Sequence, residues 1–192
     1  INKVAGKEMT FETGAGIVSS EVLDGRMVKV LLNSPEVINL DNDIEVDGVK
    51  YECSYIELGN PGLPHVSVKY DLQHTEDCEI FNIGRKIRYY EGFSRGANVN
   101  FFEVINENTA IVKTYERGVE DITLACGTGS ASTAAALVMK GYLKGNKVKI
   151  IVPGGELFIE ILQNDNRIDK LYLIGDTNIV AVGKVMDEDL VY

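Results

Sequence analysis

The chain has 192 residues, 45% hydrophobic and 25% charged, a globular composition long enough to bury one good core plus accessory elements. Its formal net charge of −10 argues against binding a nucleic-acid phosphate backbone, and no run of about 18 apolar residues offers a membrane span. Three cysteines without a CxxC pair are too few for a disulfide framework or a zinc site, and the N-terminus lacks a signal-peptide profile, so the expected setting is cytoplasmic.

In chain order, short apolar and polar alternation punctuated by turn residues predicts mostly antiparallel strands. Segments 16–23 and 26–32 flank Asp24-Gly25, and 43–46 and 49–58 flank Asp47-Gly48, dipeptides that favour the positive φ angles of tight hairpins. Further strands are expected at 65–70, at 98–106 paired with 109–116 across Glu107-Asn108, and at 147–152, 156–163, 167–174 and 178–185. Two segments read as helix. About 78–90 carries Ile80, Ile83 and Ile87 on one stripe, which predicts a surface helix with one buried side. About 127–140 differs: from Ala125 to Met139 there is no charge and most residues are small, so this helix belongs inside the protein, with Gly141 suited to cap its end. The expected architecture is α+β, a mostly antiparallel sheet wrapped around one enclosed helix.

The chemistry concentrates at the start of that helix, in Tyr115-Glu116-Arg117-Gly118 and then Ala125-Cys126-Gly127-Thr128-Gly129-Ser130. A helix N-terminus leaves backbone N–H groups unpaired and carries partial positive charge, so a carboxylate or phosphate is a natural partner. Gly127 and Gly129 would let such a ligand approach the backbone, and the same field would lower the thiol pKa of Cys126 from about 8.5. The bland alternative is that Cys126 is a small buried hydrophobe. The loop is not a P-loop, because no Lys follows the glycines. It is not a dinucleotide fingerprint, because Ser132 stands where the third Gly belongs, nor a nucleophile elbow, because GxSxG is absent.

Glu116-Arg117-Gly118 followed by Thr123-Leu124-Ala125-Cys126-Gly127-Thr128-Gly129 resembles the second catalytic-cysteine motif of the diaminopimelate epimerases. Gly96-Ala97-Asn98-Val99-Asn100-Phe101, Pro64-His65, Pro153-Gly154-Gly155-Glu156-Leu157 and Gly175-Asp176 resemble further family elements in the family's order. The resemblance implies an isomerase that interconverts LL- and meso-diaminopimelate, serving lysine and cell-wall precursor synthesis, with two cysteines and no pyridoxal phosphate or other cofactor. It implies that Cys126 is one acid/base thiol, that Glu116 and His65 stand beside the reacting amino acid, and that the backbone at Gly127, Thr128 and Gly129 holds its α-carboxylate. Asn98 and Arg117 would grip the distal end of the substrate. Each has an ordinary alternative: His65 a structural histidine, Glu116 and Arg117 a simple ion pair, Asn98 a strand-start residue. Cys53, Cys78 and His74 read as non-catalytic.

The sequence departs from that pattern in three places. No Cys-Gly-Asn-Gly for the first catalytic cysteine is present, so the chain is expected to be a fragment. It would hold the C-terminal domain at about 33–177, with 1–32 a remnant of the N-terminal domain and 178–192 a strand returning to it. The family's Asn-Pro-His appears as Asn60-Pro61-Gly62-Leu63-Pro64-His65, which leaves Asn60 as a weaker ligand candidate, and Val119 to Thr123 is about one residue longer than the usual spacer. The expected partners are an amino-acid substrate and the missing domain, with a homodimer left open and neither nucleic acid nor membrane. Proline- or histidine-type racemases, a carboxylate-binding module, and a cysteine hydrolase using Cys126 and His65 are the competing readings.

Overall fold

The computed structural model describes residues 6–14, 16–164 and 167–183. Its strands are β1 (Glu8–Thr13), β2 (Gly16–Val22), β3 (Met27–Leu32), β4 (Pro35–Asn39), β5 (Ile44–Val46), β6 (Val49–Tyr51), β7 (Cys53–Leu58), β8 (Leu63–Lys69), β9 (Asn98–Asn106), β10 (Thr109–Glu116), β11 (Asp121–Thr123), β12 (Lys147–Val152), β13 (Gly155–Asn164) and β14 (Arg167–Asp176). The helices are α1 (Asp77–Arg88) and α2 (Gly127–Met139). β5 and β6 form a separate hairpin. The remaining strands make one sheet in the order β1-β2-β3-β14-β13-β12-β10-β9-β8-β7-β4, with β11 added beside β10.

All pairings are antiparallel except β8 with β9 and β10 with β12. A parallel pair needs a long crossover, and each helix supplies one: α1 lies between β8 and β9 in the chain, α2 between β10 and β12. The helices take opposite faces. α1 packs against β9, β10 and β11, while α2 touches β7, β8, β9, β10, β12, β13 and β14, so the sheet curls around α2. Chain geometry requires the same curl, because only Asn33 and Ser34 separate β3 from β4 although β4 lies at the far edge of the sheet. Ser34 clasps the two ends. Its hydroxyl donates to Asp169 O on β14, and its carbonyl accepts from Gly59 N–H at the tip of the β7–β8 hairpin.

The two faces carry two cores. Around α2 lie Ala131, Ala134, Ala135 and Leu137 with Val112, Ile150, Ile159 and Leu171; under α1 lie Ile80 and Ile87 with Val66, Val68, Val99, Phe101 and Tyr115. β8 and β9 are covered on both faces, which explains their near-continuous burial. α2 is buried from Gly129 through Leu137, as its lack of charge required. It ends in a Schellman turn: Gly141 at φ +74° donates to Val138 O and Tyr142 N–H to Leu137 O. α1 is amphipathic as expected, with Asp77 and Glu79 in its first turn and Arg85, Lys86 and Arg88 in its last, complementing the helix dipole.

The Asp24-Gly25 and Asp47-Gly48 hairpins form as expected, the second with positive φ at both residues. Three strands were not anticipated: β1, polar throughout most of its length; β4, opened by a proline; and β11, three residues long. The strand expected at 178–185 does not form in its described part, 178–183, and the rest lies outside the described residues. β14 is already paired on both sides, with β3 and β13, so no neighbouring edge is available to that segment. The expected boundary at 32/33 falls between β3 and β4, and β3 is bonded into the sheet through β14. Leu137 is 1% exposed, so Leu137→Ala should lower unfolding free energy by about 2–5 kcal/mol in urea titrations followed by circular dichroism.

Candidate active site

Cys126 is the N-cap of α2. In extended conformation (φ −125°, ψ 106°), its Sγ accepts the Gly129 N–H at 3.4 Å, the bond that a serine or aspartate oxygen more often makes. The Thr128 hydroxyl lies 3.6 Å from the sulfur. A Cβ at Gly129 would collide with the Asn100 side chain and sit 3.1 Å from Cys126 Sγ, and one at Gly127 would meet Leu173 at 2.7 Å. Packing within the protein therefore favours glycine at both positions, most strictly at 129, alongside the expected ligand approach to this backbone. The amides of Gly127 and Thr128, at half-buried positions, meet no backbone carbonyl among the described residues.

The thiol itself differs from expectation. Burial to 8% exposure pushes its pKa up, and the nearby Glu116 charge pushes the same way; the donors at Thr128 and Gly129 oppose this without reversing it. The sulfur is thus held as a thiol at neutral pH, with donors already aimed at it that strengthen when it becomes charged.

Strand alternation puts the other polar groups on the same face. Ser67 of β8 hydrogen-bonds Thr133 of α2 at 2.9 Å, which fixes the α2-facing side of that strand and places His65 on it, two residues earlier. His65 pairs in register with Asn98 of β9, and Asn100 of β9 with both Ser67 and Thr114 of β10. Glu116, two residues beyond Thr114, continues the row toward Cys126. His65, Asn98, Asn100 and Thr114 are all buried, whereas their neighbours Val66, Val99, Phe101 and Tyr115 face the apolar core under α1.

Asn98 ties the site together. Its Nδ2 donates to Pro64 O at 3.1 Å, and its Oδ1 accepts the Arg117 N–H at 2.8 Å. Arg117 also donates through Nη1 to Arg95 O at 3.1 Å, and Arg95 reaches Gly62 O at 2.9 Å and Glu57 at 2.6 Å. No ion pair joins Glu116 to Arg117 among the described residues; the latter's side chain goes to the 89–97 loop. Glu120, at φ 60°, accepts from Arg88 Nε at 3.1 Å and Gly118 N–H at 3.0 Å, bracing the turn after Arg117 against the end of α1.

Asn100 is the residue that sequence reasoning missed. It is fully buried, it touches Gly129, and it hydrogen-bonds Val66 O, Thr114 Oγ1 and His65 Nδ1. Its spacing of two from Asn98 on one strand was the available signal. Asn60 is not drawn into this group: it sits exposed at the β7–β8 hairpin tip, preceding a cis bond to Pro61. Cys53 lies in the core under α1 with its thiol pushed up to about 12 by burial, and Cys78 is exposed on α1. Among the described residues no His, Cys, Asp or Glu cluster is arranged to hold a metal ion, and no helix is long and apolar enough to cross a membrane.

His65 is fully enclosed, and burial, reinforced by the positive charge of Arg117, takes its pKa down to about 3. The folded state therefore refuses a proton that the unfolded chain accepts below about 6.5, so this contribution is intact above pH 6.5 and drains as pH falls toward 3. The wild type should lose close to 1.4 kcal/mol per pH unit more than His65→Asn between about pH 6 and 4.5 in urea titrations. Equal slopes for the two proteins would show that His65 takes up its proton in the folded state.

The sequence profile of the diaminopimelate epimerases matches residues 58–180. The chain is 36% identical over 191 residues to the diaminopimelate epimerase of Aquifex aeolicus, covering 98% of this chain and 66% of that protein. It is 40% identical over 199 residues to the one of Archaeoglobus fulgidus, with coverages of 98% and 66%. It thus spans just under two thirds of the length of these curated relatives. Among solved structures, a hydroxyproline epimerase from Agrobacterium vitis superimposes with a TM-score of 0.65 at 17% identity, covering 90% of this chain and 58% of that one. A probable proline racemase from Agrobacterium radiobacter gives 0.66 at 17%, covering 97% and 63%. At that identity these two speak for a shared α+β fold only. With the profile match across most of its length and the Cys126 helix start described above, the chain belongs to the diaminopimelate epimerase family.

Proposed function

We propose that this chain carries one half of an active site that inverts the α-carbon of diaminopimelate by proton transfer between two cysteines. The observation that carries this reading is that the Cys126 sulfur caps an enclosed helix on the same sheet face as His65, Asn98, Asn100 and Glu116, beside first-turn amides that meet no backbone carbonyl among the described residues. An α-proton next to a carboxylate is removed only if the charge that spreads onto that carboxylate is stabilised. The Gly127 and Thr128 amides at the positive end of α2 supply donors of the right kind.

Held as a thiol by burial, Cys126 enters as the acid. It gives its proton to one face of the α-carbon while a thiolate on the opposite face takes the original one. The bond from carbon to the departing hydrogen breaks as the new one forms, and the two sulfurs exchange protonation states. The thiolate left on Cys126 is then stabilised by the Gly129 N–H and Thr128 hydroxyl already in place. Glu116 would accept from the substrate amine. Arg117, with most of its guanidinium hydrogens uncommitted, and the remaining amide hydrogen of Asn98 would meet the distal carboxylate. Burial and the Arg117 charge hold the His65 pKa down to about 3, which makes it a weak base and disfavours it as the proton-accepting partner of a cysteine hydrolase.

Neither Cys53, in the opposite core, nor Cys78, on the outer surface of α1, stands near this site, so the second thiol comes from outside this sequence. In the complete protein, Cys126→Ser should reduce epimerisation at least about 100-fold, read as solvent-deuterium incorporation at the α-carbon. Exchange at the wild-type rate would remove Cys126 from the mechanism. The 192-residue chain alone should give no epimerisation of diaminopimelate above background in the same assay; inversion by the pure chain would overturn the two-thiol reading.

A further inference from the structure

The contacts around Asn100 determine more than its own position. Val66 O lies 3.3 Å from one end of the Asn100 amide, and a carbonyl can only accept, so that end is the NH2 nitrogen. The opposite end, Oδ1, accepts the Thr114 hydroxyl at 3.0 Å. The Val66 carbonyl therefore sets the orientation of the amide independently of the histidine, and the Thr114 hydroxyl, which can donate, fits it. The Gly129 backbone, packed against the same side chain, leaves the amide little room to turn over.

That nitrogen also lies 3.4 Å from Nδ1 of His65. One of its hydrogens points to Val66 O and the other is available to the ring. An amide NH2 cannot accept, so a proton on Nδ1 would set two buried donors against each other, at a cost of about 1–3 kcal/mol. Nδ1 is therefore the bare nitrogen and Nε2 carries the hydrogen. Nε2 is fully buried and has no acceptor among the described residues. A buried N–H without an acceptor is a donor kept in readiness for an atom that is not part of the chain.

We infer that Asn100 is a positioning residue that locks His65 in the Nε2–H tautomer, so that this histidine serves the site as a hydrogen-bond donor to a lone-pair atom supplied on binding. The inference adds a residue and a protonation pattern to the function proposed above and rests on that reading for the identity of the site. The tautomer itself does not depend on turnover.

The test is a two-dimensional nitrogen–proton spectrum of the imidazole rings in the 192-residue chain labelled with 15N-histidine, in which only His65 and exposed His74 contribute signals. The expected result is a His65 Nδ1 at the position of a bare nitrogen and an Nε2 at that of a protonated one. In Asn100→Asp, whose shape is nearly the same, a carboxylate faces Nδ1 and the pattern should reverse. In Asn100→Ala, which keeps no side-chain partner, both tautomers should be populated. A wild-type ring with Nδ1 protonated overturns the proposal even if neither variant folds. An unchanged Nε2–H pattern in a folded Asn100→Asp or Asn100→Ala chain overturns it as well, because something other than Asn100 then sets the ring. A chain that shows the expected spectra while the complete protein fails to exchange the α-proton would leave Asn100 in its role and sink the epimerase mechanism instead.

Discussion

A helix cannot begin in the interior of a protein unless something meets its free amide hydrogens, and at the start of α2 that something is a cysteine sulfur. Sulfur is a weak acceptor and a titratable one. The cap is thus satisfied in the resting protein by the Gly129 N–H and becomes stronger whenever Cys126 gives up its proton. The glycines at 127 and 129, the absence of charge along the helix and the curl of the sheet all serve to bring this one end into the middle of the fold, where the Gly127 and Thr128 amides meet no backbone carbonyl among the described residues.

The sheet separates two kinds of interior on the two sides of the same strands. Toward α1, β8 to β10 present Val66, Val68, Val99, Phe101 and Tyr115, an apolar layer. Toward α2 the same strands present His65, Ser67, Asn98, Asn100 and Thr114, a buried polar row in which most groups are satisfied by one another. Such a row is costly if incomplete. The one side-chain nitrogen in it without a partner, Nε2 of His65, lies in the row that leads to Cys126 and Glu116.

Much of this was legible in the sequence because it rests on local rules. Asp-Gly dipeptides fixed two hairpins, the uncharged run from Ala125 to Met139 identified the enclosed helix, and alternation across Glu107-Asn108 gave β9 and β10. The failures have physical causes of two sorts. β1, β4 and β11 are short or polar and are held by pairing with other strands, while residues 178–183 have the composition of a strand and no neighbouring edge to pair with. The thiol of Cys126 was misjudged because its position at a helix start is visible in sequence, whereas the burial that outweighs that position is the sum of contacts from strands far along the chain. Asn100 was passed over for Asn98 for the same reason: nothing local says which of two asparagines on one strand touches a histidine 35 positions earlier.

The place of β14 bears on how the molecule is made. It lies between β3 and β13, so the first three strands reach the remainder of the sheet only through it. During synthesis β1 to β3 leave the ribosome before their partner and then wait, with the β3 edge unfilled, until residues 167–176 emerge more than 130 positions later. An unfilled edge invites pairing with other chains. This sheet is therefore most exposed to misassembly just before β14 arrives, and it closes by insertion of that strand between two partners already waiting for it.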